Sequence, residues 1–566
     1  MALGVNPSRL VLLASDIRRL VLEMPHYLEP IPNWTSDEQP RMAGSPSTPY
    51  HSPAVRLAYA FVGVLIAITG GLGNGMVLAN LPQIQGELGL TPIEGAWLPA
   101  AWVMVNVSSN LILFKCRQQF GIRRFAELGL MAYVLATVLQ LAAHSYPMTI
   151  FARAVTGFAS APISALANFY IMQAFPKAKL GAGMCIALGV SQLATPLAWI
   201  LSAPLLDIGE WHVLYVFELG LGLCSLAAVV VLKLPPGIRI KVFEPLDVLS
   251  FLLIAPALAL IVAVLAQGRV QWWPDQLWMA HALIAALLLL LCAFYLEHHR
   301  ERPLVRTRWL GTSGTIRFTL GALSIRLLLS EQTYAATGLM RTLRMGPDQL
   351  QSLYAVIFIG TLTGTIISAL LFGPKTVPPL IAASVVLIII GGLLDRHATN
   401  LTRPHDLYVS QFLVACAGGM FIGPLLLFGV NRALAEGADH MVTFIVLFSI
   451  TQGVGGLAGP ALFGTFQQYR EREYSVLITA HTQQTDPTVA LRLAIQTQVY
   501  SPVVTDPALR NALGVAALSQ IATRESNVRA YNDVVVLNTV LAVIFLAWAM
   551  MRTFVLARVA AGSSTA

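Results

Sequence analysis

The chain has 566 residues, of which 56% are hydrophobic and only 11% are charged, and its formal net charge is +8. Soluble domains carry about 25% charged residues, so this composition excludes a soluble fold. Outer-membrane barrels are excluded as well, because their strands alternate in polarity, whereas 281–296 is apolar on every side. The Lys and Arg residues lie in short links beside apolar segments, where they set membrane orientation, so we expect no nucleic-acid partner.

About fourteen apolar runs follow one another along the chain, and each is long enough, at roughly 20 residues, to cross the bilayer as a helix. Only helices satisfy their own backbone hydrogen bonds segment by segment in lipid. The sequence therefore predicts an all-α polytopic membrane protein. The predicted spans are 56–80, 97–114, 125–143, 149–173, 181–206, 212–232, 247–267, 276–296, 315–340, 349–372, 377–394, 407–432, 441–466 and 533–556.

The links between the spans alternate in basic charge. The first link carries Glu87 and Glu94 without Lys or Arg. The next link is rich in cations: Lys115, Arg117, Arg123 and Arg124. Arg341 and Arg344 break the alternation, but the whole count places both termini in the cytoplasm. We expect a multi-pass protein of the bacterial inner membrane.

The N-terminal segment 1–55 is predicted to be cytoplasmic and partly disordered, since it has mixed charge and no apolar run long enough for a cleavable signal. Within it, 8–25 fits either a short amphipathic helix or a disordered tail. The cysteines lack metal-ligand spacing, so we interpret them as small core residues and expect no metal and no other cofactor. They are Cys116, Cys185, Cys224, Cys292 and Cys416.

Two features organise the spans. Removing the Leu- and Ala-rich seventh and eighth spans leaves six plus six, the layout of a transporter built from two related halves. This predicts an N-terminal half at 56–232, an inserted helix pair at 233–300 and a C-terminal half at 301–566. The link 467–530 is the long one, it is polar, and it falls on the periplasmic side. Its later part has helical spacing and is expected to run directly into the last span.

Ionisable residues inside a span are functional candidates, because their burial is costly unless they are paired or hydrated. The candidates for proton coupling or transport are Glu331, Glu218, Arg153 and Arg326. Arg153 could also snorkel to the surface, Glu218 could reach the outer interface, and Arg326 with Glu331 could form structural ion pairs to other spans. Arg326 and Glu331 diverge around one helix, whereas Glu331 and Tyr334 are expected to share a face.

Other residues suit a substrate path. Asn106, Asn110, Gln332 and Tyr334 are candidate cavity residues. Gly455 and Gly459, followed by Pro460, would let helix backbones touch and bend, either for alternating access or simply for close packing.

No catalytic or nucleotide-binding motif is present in the sequence, so we expect a transporter driven by an ion gradient and not an enzyme.

With RAVTGFASAPIS in the fourth span and a Pro-bearing fifth span, 56–556 resembles the major facilitator superfamily, in particular its fourteen-span drug:proton antiporters. The resemblance implies two six-helix halves plus two central helices. By motif, Arg153 corresponds to the arginine linked to proton transfer. The conformational residues implied are Gly157, Gly189, Pro196, Gly121, Arg123 and Arg124. The long outer link is similar to the branch that works with a periplasmic adaptor and an outer-membrane channel.

The chain departs from this pattern in three places. Gly73 stands in LGNGMVLANLP where the family has an acid, and Gln118 and Gln119 replace the acid of the following basic link. The glycines expected after Pro196 are replaced by Leu197, Ala198 and Trp199. Without the acid at position 73, Glu218 or Glu331 would have to carry the proton, with Arg153 or Arg326 beside it.

The leading hypothesis is a secondary exporter of small amphipathic or aromatic compounds that works by rocker-switch alternating access with proton coupling. A second hypothesis is an exporter of one endogenous metabolite, such as a siderophore. A third, from another class, is a membrane sensor or scaffold that transports nothing.

Overall fold

The computed structural model describes residues 28–563 except 31, 36–37, 41, 374–375, 438–439 and 483–484, with side chains as far as 552. The prediction for 8–25 lies outside these residues. The helices, in chain order, are α1 (Pro53–Ala79), α2 (Leu81–Glu87), α3 (Pro92–Phe120), α4 (Ile122–Leu141), α5 (Tyr146–Gln173), α6 (Leu180–Gln192), α7 (Ala194–Leu206), α8 (His212–Val231), α9 (Pro245–Gln271), α10 (Leu277–His299), α11 (Thr307–Leu310), α12 (Ser313–Leu328), α13 (Thr337–Thr342), α14 (Pro347–Leu370), α15 (Val377–Asp395), α16 (Tyr408–Glu436), α17 (His440–Ala480), α18 (Pro487–Val499) and α19 (Pro507–Ser563).

Thirteen helical segments of the described chain are long and apolar enough to cross a membrane. They match thirteen of the predicted spans in order. α6 and α7 together make one of them, because the helix is interrupted at Leu193. The predicted all-α polytopic fold is therefore confirmed.

The predicted span 315–340 is broken in the structure. α12 ends at Leu328, a π-helical turn covers Gln332–Ala336, and α13 follows. A π-helical turn has more residues per turn than an α-helix, so it changes which side chains point the same way. Glu331 faces α15 and α16, whereas Tyr334 faces α17 and α19. The prediction that Glu331 and Tyr334 share a face is therefore wrong.

Each half of the bundle has its own apolar core. Side chains of α1, α4, α5, α6 and α8 form one cluster, around Ile66, Tyr133 and Tyr170. Side chains of α12, α15, α16, α17 and α19 form another, around Phe318, Phe421 and Phe444. α6 and α7 pack against α14, and α6 also packs against α16. These helices bring the two halves together at the centre of the molecule.

The end of the bundle that carries Lys115, Arg123, Lys233, Arg239 and Arg300 is called the basic face below, and the other end is called the opposite face. Part of the segment before α1 lies along the basic face. The backbone N–H groups of residues 28, 44 and 47 donate to carbonyls of residues 239, 238 and 236, each at 3.0 Å. The N-terminal segment is thus tied to the link between α8 and α9.

The helix pair α9 and α10 is fastened to α3 by a buried ionic cluster at the basic face. Lys115 Nζ lies 2.7 Å from Asp247, and Arg300 Nη2 lies 2.8 Å from the same carboxylate. Arg300 also pairs with Glu244 and Glu297. The side chain of Asp247 is completely buried. The basic link at the end of α3 has Gln118 and Gln119 in place of an acid. Lys115 therefore pairs with a carboxylate of α9.

Two helices extend far beyond the bilayer. At a rise of about 1.5 Å per residue, α17 is roughly 62 Å long and α19 is roughly 85 Å long. The hydrocarbon core of a bilayer is only about 30 Å thick. The expectation that the later part of 467–530 runs into the last span as one helix is confirmed. The earlier part also continues a span, since α17 does not end near residue 466. Arg470 joins these extensions through Asp533, with Nε and Oδ2 2.6 Å apart.

The cysteines are all free. Cys185 and Cys416 are buried and Cys116 is half-buried, as expected for small core residues. Cys224 and Cys292 are exposed, so the core interpretation is wrong for these two. Apolar residues in a membrane protein can face lipid as well as protein, and these two lie on outward surfaces of α8 and α10.

Candidate functional site: a buried carboxylate and a central cavity

A carboxylate fills the space beside Gly73. A Cβ added to Gly73 would overlap the carboxylate of Glu218. Glu218 is 1% exposed and reaches α1 from α8. The first span thus has no acid at residue 73, but the carboxylate of Glu218 occupies the space that a side chain at residue 73 would fill.

Tyr133 of α4 holds this carboxylate. Its hydroxyl oxygen lies 2.6 Å from Glu218 Oε1 and 2.8 Å from the carbonyl oxygen of Thr69. A tyrosine hydroxyl has one proton to donate and can accept as well. It can therefore donate a hydrogen bond to an ionised Glu218, or donate one to the carbonyl of Thr69 while it accepts one from a neutral Glu218.

Arg153 supplies the nearby positive charge. It is completely buried, and its Nη2 donates to Oδ1 of Asn74 at 2.5 Å. Its Nε donates to the carbonyl of Leu98 at 3.3 Å. It interacts electrostatically with Glu218 and Tyr215. Within the described residues, Nη1 of Arg153 and Oε2 of Glu218 have no hydrogen-bond partner, so the two charges are neighbours without a direct bond.

Of two residues predicted to line a cavity, Asn106 lies where α3 crosses α5, and Asn110 is hydrogen-bonded within α3. Asn106 Nδ2 donates to the carbonyl of Gly157 at 3.1 Å and to Ser160 at 3.0 Å. Asn110 donates to the carbonyl of Asn106 within α3. A Cβ on Gly157 would clash with the carbonyl oxygen of Trp102, so the glycine permits this crossing.

A cavity of about 100 Å³ lies at the centre of the molecule, where the two halves meet. Of the predicted residues, Pro196, Arg326 and Gln332 line it. Tyr334 lies elsewhere, 3.4 Å from Gln467 and under the guanidinium of Arg269. Arg326 is thus the predicted charged residue, and Gln332 the predicted amide residue, that line this cavity.

Arg326 lies across the glycines of α17. A Cβ on Gly455 would lie 3.1 Å from Cγ of Arg326, and one on Gly456 would lie 3.3 Å from Nη2. Gly459 packs against Ser330 in the same interface, and α17 continues through Pro460 without a break. The glycines therefore make room for α12 and for the arginine side chain.

Glu331 points away from the cavity. It interacts with Gln411 and, across a like-charge contact, with Asp395 at the end of α15. Gln411 Nε2 donates to Asp395 at 2.9 Å, and Gln332 Nε2 donates to the carbonyl of Gln411 at 3.1 Å. Glu331 and Arg326 are therefore not partners.

The predicted conformational residues mark close approaches and turns. Gly121 has φ +81°, which favours glycine, and it ends α3. Arg123 donates to the carbonyl of Leu234 at 2.7 Å, and Arg124 is exposed at the basic face. Gly189 lets α6 approach Thr365 of α14.

Near the opposite face, the two halves are joined directly. Arg341 Nη2 donates to the carbonyls of Leu78 and Ala79 at 3.0 and 2.9 Å, and its guanidinium lies over Trp199. Trp199 stacks on Tyr354 with ring centres 4.4 Å apart. Arg341, which violated the charge alternation, thus has a partner in the other half.

Sequence reasoning missed several residues of these sites: Tyr133, Asn74, Gln411, Asp395 and Gln452. The glycine at position 73 was a usable signal for the position of Glu218, since a glycine can leave space for a side chain from another helix. The described residues include no group of three or more His, Cys, Asp or Glu side chains able to hold a metal ion.

The helical bundle with its central cavity defines a polytopic membrane transporter. The chain belongs to the Major Facilitator Superfamily, whose family model matches residues 63–460. It is 23% identical to the "Multidrug resistance protein B homolog" of Mycobacterium tuberculosis over 77% of this chain and 81% of that protein. It is 27% identical to the "Uncharacterized transporter YebQ" of Escherichia coli, but this match covers 31% of the chain and only 38% of that protein. The solved structure of PepTSo2 shares the fold, with a TM-score of 0.53 at 13% identity over 88% of this chain and 99% of that one.

Proposed function

We propose that the protein is a proton-coupled exporter of small amphipathic or aromatic compounds in the bacterial inner membrane, with both termini in the cytoplasm. The carboxylate of Glu218 in the space beside Gly73 carries this proposal. The name of the Mycobacterium tuberculosis relative supports export of drugs. The alternation of basic links supports the orientation.

Glu218 has what a proton carrier needs. A carrier must be stable both ionised and neutral, and an unpaired buried polar group is costly in either state. Tyr133 provides a hydrogen bond for both states, because its hydroxyl can turn between Glu218 and the carbonyl of Thr69. Arg153 balances the ionised state from nearby. Glu218 can thus gain and lose a proton without leaving its site.

The same groups couple the proton to helix movement. Glu218 lies on α8, Tyr133 on α4, Arg153 on α5 and Asn74 on α1, so a change of charge alters contacts among four helices of one half. Arg341 and the stack of Trp199 on Tyr354 close the opposite face between the halves. Separation of these contacts while the basic face stays packed is the rocking motion of alternating access.

Transport into inside-out membrane vesicles tests the proposal. Respiration acidifies the lumen of such vesicles, so an antiporter accumulates a fluorescent drug as protons leave. Dissipation of the pH gradient is expected to stop accumulation, and Glu218→Gln is expected to lower it by about 100-fold, a typical loss for removal of a proton-transfer group. Glu210→Gln, at an exposed carboxylate near the same end of α8, is the matched control and is expected to behave as wild type.

Accumulation that survives loss of the gradient would overturn proton coupling. Normal gradient-driven accumulation by Glu218→Gln would overturn the role of Glu218.

We further propose that α18 and the extensions of α17 and α19 bind a periplasmic adaptor, which would link the transporter to an outer-membrane channel. Leu491, Ile495 and Val499 lie four residues apart on α18, so they share a face. Each is more than half exposed: 63%, 54% and 64%. An exposed apolar stripe on a helix outside the bilayer suits a helix of a partner protein.

Replacement of Leu491 and Ile495 by Glu is expected to abolish co-purification of an adaptor encoded beside this protein, while transport into vesicles stays normal. Arg492→Glu, on the same helix, changes charge without removing the stripe and serves as the control. Undiminished co-purification of the Leu491 and Ile495 variant would contradict the proposal.

A further inference from the structure

We propose that the central cavity binds the anionic group of the substrate, of the carboxylate class, through Arg326 and Gln452. The inference rests on the proposed export function and names its substrate class. It is carried by two buried donor atoms that face one cavity and have no partner in the described residues: Nε of Arg326 and Nε2 of Gln452.

The charge balance of the cavity is positive. Arg326 is the charged residue among its lining side chains, which include no Asp or Glu. The carboxylates that could have neutralised it are used elsewhere, since Glu331 faces Asp395 and Gln411, and Glu218 faces Tyr133. A guanidinium inside a membrane span is expensive when unpaired. An anion that enters the cavity supplies the missing partner.

The donors that remain suit a carboxylate. Arginine presents its N–H groups in a planar fork that matches two carboxylate oxygens. Most other polar groups of the cavity wall are already occupied: Gln332 donates to Gln411, Thr361 to the carbonyl of Ile357, and Thr333 to the carbonyl of Ser330. Arg326 and Gln452 have the buried donors that remain without a partner in the described residues, and a cationic ligand would meet Arg326 as a like charge.

The shape of the site agrees with this assignment. Gly455 and Gly456 hold no side chain over the arginine, so its guanidinium reaches the cavity. Tyr354 and Phe421 line the cavity and provide aromatic surface for a ring. The cavity volume of about 100 Å³ is small compared with pockets for drug-sized ligands, which start at roughly 300 Å³. The closed form therefore seats the charged end of a ligand, and separation of the halves admits the rest.

Three probes that share one ring system test the proposal: naphthalene carboxylate, naphthalene carboxamide and naphthylmethylammonium. Their binding to the full chain in nanodiscs is followed by naphthalene fluorescence near neutral pH, without a pH gradient. The carboxylate is expected to bind at least about tenfold more tightly than the other two, as a charge-assisted hydrogen bond provides. Arg326→Gln is expected to remove this preference, and Arg326→Lys to keep part of it.

Arg317→Gln is the matched control, because Arg317 is an exposed arginine on the same helix. It is expected to bind the probes as wild type does. Equal binding of the three probes by wild type, no binding of the carboxylate, or a preference that persists in Arg326→Gln would overturn the inference. Persistence of the preference in Arg326→Lys together with its loss in Arg326→Gln would show that charge is responsible, and unchanged binding of the carboxamide by Arg326→Gln would show that this variant folds.

These outcomes are separate from those of the export proposal. Binding without a gradient tests the substrate class alone. If the carboxylate binds through Arg326 but a pH gradient drives no accumulation, proton coupling fails and the anion site stands. If gradient-driven accumulation of another drug persists while the carboxylate preference is absent, the anion site fails and proton coupling stands.

Discussion

The two halves of the molecule differ in what surrounds their buried charged side chains. In the N-terminal half, Arg153 lies among Asn74, the Leu98 carbonyl and Glu218, so acid and base are neighbours. In the C-terminal half, Arg326 faces a cavity and Glu331 faces another acid. The two proposals use this contrast: they place a proton site in the first half and a ligand site in the second.

Arg153→Met removes the positive charge that lies beside Glu218 in the N-terminal half. It removes the cation beside Glu218 and the donor to Asn74 and to the Leu98 carbonyl, so the free energy of unfolding is expected to fall by about 3–5 kcal/mol. Denaturation in mixed micelles measures this, with the exposed Arg317→Met as control. A loss as small as that of the control would mean that the two charges do not depend on each other.

Arg326→Met removes a buried charge that has no partner in the described residues. It should raise the free energy of unfolding, whereas Arg153→Met lowers it. Removal of a buried donor without a partner relieves its desolvation cost, so the ligand-free protein is expected to gain about 1–3 kcal/mol. The same denaturation experiment measures the gain. A large loss of stability would show that Arg326 has a structural partner, and the contrast between the halves would disappear.

Arg341→Ala tests the contact that joins the halves at the opposite face. Loss of its hydrogen bonds to Leu78 and Ala79 and of its contact with Trp199 removes about 1 kcal/mol of closure. A cysteine at Thr195, which lines the cavity, is then expected to react about fivefold faster with an impermeant thiol reagent. The natural cysteines are replaced first, because Cys224 and Cys292 are exposed. An unchanged rate would show that Arg341 does not hold this face closed.

Glu331→Gln is expected to have the smallest effect. The substitution removes a like-charge contact with Asp395 and keeps a polar side chain beside Gln411. Gradient-driven accumulation in vesicles should stay within about threefold of wild type, a change of less than about 1 kcal/mol. A loss comparable to that of Glu218→Gln would move proton coupling into the C-terminal half.

The fold could be predicted from the sequence because span length and link charge are local signals. The break at Gln332–Ala336 could not, since ALSIRLLLSEQTYAATG contains no proline, and its glycine lies beyond the π turn. Arg153, Glu218 and Arg326 could be predicted as candidates because charge within an apolar run is conspicuous. The neighbours of Glu218 were missed because Gly73 and Glu218 are far apart in the chain, and no periodicity relates them.

The proposed proton site is tested most directly by moving the carboxylate from α8 to α1. Glu218→Ala empties the space beside Gly73, and Gly73→Asp added to it places an acid there, since a Cβ at Gly73 already falls on the carboxyl group of Glu218. Glu218→Ala is expected to lose gradient-driven transport, and the double variant is expected to recover it to within about tenfold of wild type, or about 1.4 kcal/mol. Gly73→Asp alone should be inactive, because two carboxylates would compete for one space. A folded double variant as inactive as Glu218→Ala would contradict the claim that this space is the proton site.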